Sequence, residues 1–261
     1  DSLAKRCKRY EKRFTREKFM PGIPVIARMD GRAFHTFTRD LEKPFDMRLV
    51  ECMKRTTQAL VERFNAKLGY TQSDEITLVW LPGADDQLFF DGKVFKFNSV
   101  LASTCSVIFM RNMLELLPEK AENLPVFDCR TWQTPNNYEA ALAIYWRERD
   151  ATRNSINTLA QSLYSHKQLQ GKKVPEVHDM LHAKGVNWNS LEDGLKRGWY
   201  YHRVQVEEDL DLTERTDIPP EHRTVKRVLR GKVVLKEQPI LNLEGNIVET
   251  LFSKKIEQEE D

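Results

Sequence analysis

"IPVIARMDGRAFHTF", residues 23–37, ends a short β-branched run with an aspartate and a glycine, then adds a basic and aromatic cluster. The short β-branched run that ends at Gly31 predicts a strand over 22–30. Gly31 permits a tight turn and a close backbone approach. Asp30 then stands at the mouth of the strand. Alone it would serve as a turn former; to do chemistry it needs a partner.

Working outward, "DMRLVECMKRTTQALVERFNAKL" (46–68) spaces Leu49, Met53, Leu60, Phe64 and Leu68 as a helix does, with Asp46 as N-cap and Gly69 as its stop. "YTQSDEITLVW" (70–80) alternates Ile76, Leu78 and Trp80 on one face and gives a strand pair turning at "QSDE". A short strand is expected near "QLFF" (87–90), a second long helix over 93–116, and a buried strand at "PVFDCR" (125–130). Strand, helix, strand pair, helix, strand is the split βαβ pattern of the ferredoxin-like plait, an α+β architecture that polymerase palms use. After Pro135 the chain reads as helical to about 168 and again over 175–184. Strand-like runs and proline turns follow over 199–250. Residues 1–135 are thus expected to form a palm with an N-terminal basic helix, and 136–261 a helical and β elaboration packed with it as one unit.

That N-terminal helix carries eight basic residues against two acids between Lys5 and Lys18, and spaces Leu3, Cys7, Tyr10 and Phe14 as a buried stripe. The net charge of +2 decides nothing beside this uneven distribution. No apolar run reaches membrane-span length and the opening stretch has no signal core, so a cytoplasmic location without membrane partners is expected. Cys7, Cys52, Cys105 and Cys129 lie far apart without CxxC pairing and are expected to be reduced, structural thiols. The acidic tail "IEQEED" is expected to fray.

In a plait the first and third strands are neighbours, so the end of the first lies beside the "QSDE" turn. Asp74 can therefore meet Asp30, with Glu75 and the Gly31 carbonyl nearby. Hard oxygen ligands of this kind suit magnesium. Two such ions about 4 Å apart can activate an attacking hydroxyl and neutralise a leaving pyrophosphate. Other features carry less. His178 and His182 share a helix face without a third ligand; "QGKK" lacks the upstream glycine of a phosphate loop. Trp132, Trp146, Trp188 and Trp199 are candidates for base stacking or for core.

"RMDGRAFHTF", "KPFD", "GYTQSDEITL", "KVFKFNSVLAS", "FDCR" and "YWRERDATRNSI", in that order, closely resemble the tRNA-histidine guanylyltransferase superfamily, whose members add nucleotides to RNA in the 3'-to-5' direction. The resemblance spans about residues 5–200. It implies a palm fold, two Mg2+ ions, ATP and GTP as substrates, tRNA as the acceptor and a homotetramer. Carried over, Asp30, Gly31 and Asp74 are expected as metal ligands, with Glu75 as a supporting acid and Lys43 on phosphates as further catalytic residues. Nucleotide contacts are expected from Asp30, Gly31, Arg32, Ala33, Phe34, His35, Ser73, Asp74, Lys93 and Lys96. Asn187 and Arg197 of "NWNSLEDGLKRG" are expected as further phosphate contacts. Arg28, Arg130, Arg147, Arg153 and Asn154 are candidates for RNA contact. Thr152 stands where the eukaryotic branch carries a histidine. With the "KRYEKRF", "KPFD" and "YTQSDE" forms, this favours the template-dependent branch that repairs 5'-truncated tRNA over a dedicated enzyme adding one untemplated G. A non-catalytic tRNA-binding palm is the remote alternative.

Overall fold

The computed structural model describes residues 2–83, 86–236 and 240–253, and the backbone of 256–257. In chain order the elements are α1 (Leu3–Thr15), β1 (Val25–Gly31), α2 (Phe34–Phe37), α3 (Met47–Arg63), β2 (Leu68–Gln72), β3 (Glu75–Trp80), α4 (Val94–Leu116), β4 (Phe127–Gln133), α5 (Asn137–Gln161), α6 (His166–Leu169), α7 (Val174–Ala183), α8 (Asp193–Arg197), β5 (Trp199–Asp211), β6 (Val225–Lys236), α9 (Ile247–Phe252) and β7 (Ile256–Glu257). The sheet order is β4-β1-β3-β2-β5-β6, antiparallel throughout, with β7 added parallel to β5. Its first four strands, with α3 and α4 as crossovers, are the ferredoxin-like plait read from the sequence.

β1 is central, which is why Val25, Ile26, Ala27 and Met29 are fully buried in succession: the strand is covered on both faces. One face packs Met29, Ile76 and Leu78 against Leu60 of α3 and Phe97, Leu101 and Phe109 of α4. The other packs Ile26, Val79, Tyr70 and Tyr200 against Ile144 of α5 and Leu251 of α9. The C-terminal half of α5 joins α7 in a smaller cluster around Leu159 and Leu181. β5 pairs with β2 over Trp199–His202 and with β6 over Tyr200–Asp211, so it projects past the sheet as one side of a long hairpin. Among the described residues no helix is long and apolar enough to cross a membrane. All four cysteines are free, and burial pushes the Cys52 and Cys129 thiols up to about 12.

Several expectations change. Asp46 caps α3 as expected, accepting from the Arg48 N–H at 3.0 Å, but the helix ends at Arg63, six residues before Gly69. Asn65 takes the left-handed turn (φ 47°), and Gly69 sits inside β2, where a Cβ would lie 2.4 Å from Val61 Cγ2. The glycine serves close strand–helix packing. Instead of a strand, "QLFF" leads into a 3-10 turn at Phe89–Gly92, with Phe90 and Asp91 in the left-handed region. Phe90 there packs edge-on against Phe97. The helix read as continuing to 168 breaks after Gln161. The apolar stripe of α1 is not buried: Leu3, Tyr10 and Phe14 are 62–80% exposed. The end of this segment is fastened by Phe19 N–H to the Gly92 carbonyl (2.9 Å) and Val94 N–H to the Glu17 carbonyl (3.1 Å). Within the tail, Ile256–Glu257 pair with Gln205 and Val206 rather than fray; the remaining four residues lie outside the described residues.

Candidate active site

β1 and β3 run side by side with Asp30 opposite Glu75, so the β2–β3 turn at Ser73–Asp74 meets the end of β1. The Gly31 N–H donates to the Asp74 carbonyl at 3.1 Å. The two acid-bearing segments are thereby bonded to one another. Ser73 takes the left-handed conformation (φ 54°), and its hydroxyl donates to Asp74 Oδ1 at 3.1 Å. Burial pushes the Asp74 carboxyl above its ordinary value, and the charge of Asp30 adds to the push.

The turn after β1 is held from below. A Cβ at Gly31 would lie 2.4 Å from the Phe34 ring, which packs against Phe37, Phe109 and Phe127 at centroid distances of 5.0, 5.5 and 5.1 Å. Phe34 is thus core, a support for the expected contact surface rather than its side-chain member. Ala33 is left-handed (φ 56°) and starts α2.

His35, Lys43 and Ser73 line one cavity of about 510 Å3, walled also by Asp46, Met53 and Trp199. That is room for a nucleotide-sized ligand. Lys43 Nζ donates to the Thr38 carbonyl at 3.0 Å. Asp46, which the sequence reading used only as a cap, holds Arg48 at 2.8 Å and is kept below its ordinary value by it. Arg32 and Ala33 instead line a separate groove with Asp40 and Lys120.

Along the strands, Arg28, Asp30, Glu75, Asp128 and Arg130 share the sheet face turned toward α5. Arg130 lies 3.8 Å from Asp30 and 3.5 Å from Asp128. Asp128, opposite Asp30 in register, is an acid the sequence reading quoted but did not assign. The alternation Asp128, Arg130, Trp132 against Phe127 and Cys129 was the available signal.

Glu75 is not a free supporting acid. Arg147 clamps it with two bonds, Nε to Oε1 and Nη2 to Oε2, both 2.7 Å, and Arg28 Nε lies 4.0 Å away. Burial raises the Glu75 carboxyl and Arg147 opposes that rise. Glu75 and Arg147 thus engage each other beside the turn. Arg153 and Asn154 both reach Asp150.

The remaining candidates lie elsewhere. Lys93 and Lys96 begin α4, whose Phe97 meets Trp80 at the far end of β3. Within one chain that is roughly 17 Å from Glu75, at about 3.4 Å per strand residue. Arg197 is spent on Asp193 at 2.8 Å with its side chain mostly buried, and Asn187 caps a 3-10 turn through the Asn189 N–H. His178 meets Trp188 edge-on at 5.7 Å; among the described residues no group of three or more His, Cys, Asp or Glu converges on a metal.

A family model described as tRNAHis guanylyltransferase matches residues 4–135. An uncharacterized protein of Acanthamoeba polyphaga mimivirus is 30% identical over 76% of this chain and 76% of its own. The tRNA(His) guanylyltransferase of Schizosaccharomyces pombe is 27% identical over 79% and 84%. Among solved structures, a bacterial tRNA(His) guanylyltransferase (Thg1)-like protein in complex with ATP is 38% identical, covers 77% of this chain and 88% of its own, and superposes with a TM-score of 0.73. A structure of a bacterial tRNA(His) guanylyltransferase (Thg1)-like protein in complex with GTP is 32% identical, covers 92% of this chain and 94% of its own, and has a TM-score of 0.70. With its palm topology, its paired aspartates at the strand tip and a match over half its length, the chain belongs to the tRNAHis guanylyltransferase family of nucleotidyltransferases.

Proposed function

We propose that this chain adds nucleotides to the 5' end of tRNA in the 3'-to-5' direction, guided by the opposing strand, as a repair of truncated ends. The carrying observation is the joining of Asp30 to Asp74 through the Gly31–Asp74 bond, beside a nucleotide-sized cavity. In the proposed sequence an oxygen of the RNA 5'-phosphate attacks the α-phosphorus of ATP and pyrophosphate leaves. The 3'-hydroxyl of an incoming nucleoside triphosphate then attacks the activated 5'-phosphorus, and AMP leaves. The ATP and GTP complexes of the bacterial relatives support nucleotide use.

Asp30, Asp74 and the Gly31 carbonyl would hold magnesium. Two carboxylates and a carbonyl fit an ion that completes its shell with water and substrate phosphate instead of a full protein cage. Burial, and to a lesser degree the charge of Asp30, raises the Asp74 carboxyl, and a cation would offset both. When bound, Mg2+ supplies charge neutralisation for the phosphates and acidity for the attacking hydroxyl. The chain's own part is positioning: Lys43 neutralises phosphate charge, His35 and Ser73 border the nucleotide, and Arg130 lies beside Asp30 where an RNA phosphate would approach.

We further infer a homotetramer. The uncovered apolar faces of α1 and of α4 at Phe95, Val107 and Leu114 support association. Lys93 and Lys96, distant from the acids of their own chain, would then act on a triphosphate bound to another copy.

The second reading, a dedicated enzyme adding one G to histidine tRNA, is favoured by the activity named for the yeast relative. A tRNA lacking its first nucleotide, with the opposing base varied through all four identities, separates the two. Incorporation that follows the opposing base supports repair; G in every case overturns it.

A further inference from the structure

The tryptophans do not share one fate. Trp80 and Trp199 are core, Trp132 and Trp188 are part-buried against neighbours, and Trp146 is 54% exposed. Trp146 stands on α5 over the sheet face that carries Arg28, Asp30 and Arg130. Two guanidinium groups approach its ring, Arg147 at 4.5 Å and Arg28 at 5.5 Å from the centroid. Glu75 holds the first and lies within 4.0 Å of the second. The buried Arg28 Nε has no hydrogen-bond partner. An indole left in solvent and fixed by two cations on one carboxylate is a preorganised stacking surface.

Trp146 also forms one wall of a pocket of about 500 Å3. Ile156, Val174 and Trp188 give it an apolar lining, and Arg149 a cationic edge beside the Arg153–Asp150 ion pair. An apolar slot beside guanidinium groups matches a nucleobase with its phosphate. On β1, Arg28 beneath the indole is two residues from Asp30, about 7 Å along the strand. The cavity lined by His35, Lys43 and Ser73 opens instead by Thr71 and Gln72, at the end of β2. Two-substrate transfer at one pair of acids requires two such flanking sites.

We propose that Trp146 stacks on the terminal base at the RNA 5' end, with Arg149 on the adjoining phosphate. This rests on the reading that an RNA 5' end is the acceptor. Every base has a π-face, so the subsite accepts all four and leaves selection to pairing.

The test uses the full chain and a short acceptor-stem RNA with a 5'-terminal 2-aminopurine placed opposite uracil. Binding to the wild type and to Trp146→Phe quenches the probe, and Trp146→Ala loses the quench and binds about tenfold more weakly, the scale of one lost base–aromatic stack. An abasic 5' end costs the wild type the same tenfold and costs Trp146→Ala nothing more; ATP affinity is unchanged in all three. Equal preference for the base over the abasic end in Trp146→Ala and wild type overturns the proposal. So does a wild type indifferent to the abasic change, a comparison that needs no variant to fold. A wild type that quenches the probe yet transfers no nucleotide to RNA defeats the proposed reaction and leaves the stacking subsite standing.

Discussion

Arg147 and Glu75, 72 residues apart in sequence, meet in a two-bonded ion pair with both side chains 13% exposed. Removing one partner of such a pair strands a buried charge. Arg147→Met should cost about 3 kcal/mol or more, and Glu75→Gln combined with it should restore much of that loss. Chemical denaturation of the two single variants and the double one checks this; strictly additive losses would dissolve the coupling.

Asp30→Asn and Asp74→Asn should each lower nucleotide transfer by at least about a hundredfold, the scale of losing one preorganised electrostatic group. Neither should unfold the chain, because each removes repulsion between two acids at one tip. Transfer of α-labelled nucleotide at saturating Mg2+, read with a melting curve, tests both halves. Near-normal transfer in either variant would sink the metal-ligand assignment.

Gly31→Ala should destabilise by about 1–3 kcal/mol, as overpacking does, since its Cβ would enter the Phe34 ring. A second change, Phe34→Leu, should relieve the clash. If Gly31→Ala melts like wild type, the ring is not the constraint.

His202 is 5% exposed, and burial, with help from Lys236 and Lys67, pulls its imidazole down to about 4. The folded chain keeps it neutral while the unfolded chain protonates it near 6.5, so the unfolded state binds the extra proton. Stability from this group is full above pH 6.5 and declines as the pH falls toward 4, by about 3 kcal/mol over that window. His202→Gln should flatten the decline between pH 7 and pH 4.5 in urea titrations; an unchanged slope would assign the decline to other groups.

If Lys96 acts across subunits, Lys96→Ala and Asp30→Ala should each be inactive alone and regain activity when mixed and reassembled. In some mixed pairs an intact acid pair faces an intact lysine. No recovery from subunits shown to exchange would confine the lysine to its own chain, where it has no part at the site.

The palm was legible because each of its strands alternates against one or two apolar layers and each is bounded by a turn residue. The pairing of Asp30 with Asp74 followed from topology alone. What could not be read were the partners of long side chains. Glu75, Arg147 and Arg197 look equally free in a sequence, yet their charges are consumed by Arg147, Glu75 and Asp193. Gly69 was misread because a helix stop and a strand glycine seated under Val61 share the same local pattern. Asp128 was passed over because it joins the site only through the β1–β4 register.

One strand belongs to two bodies. β5 is bonded to β2 over four residues and continues, with β6, into a hairpin whose last five residues extend roughly 17 Å beyond Val206. Arg203 pins the root of that hairpin to the Val61 and Glu62 carbonyls at 3.0 and 3.1 Å. The arrangement is a cantilever with a clamped root. A load on the tip is delivered as torque on Trp199–His202, hence on the Leu68–Thr71 rung that ends one residue before the Gln72–Ser73 turn. Trimming both strands equally would shorten the lever arm while leaving the clamp and the acid pair as they are.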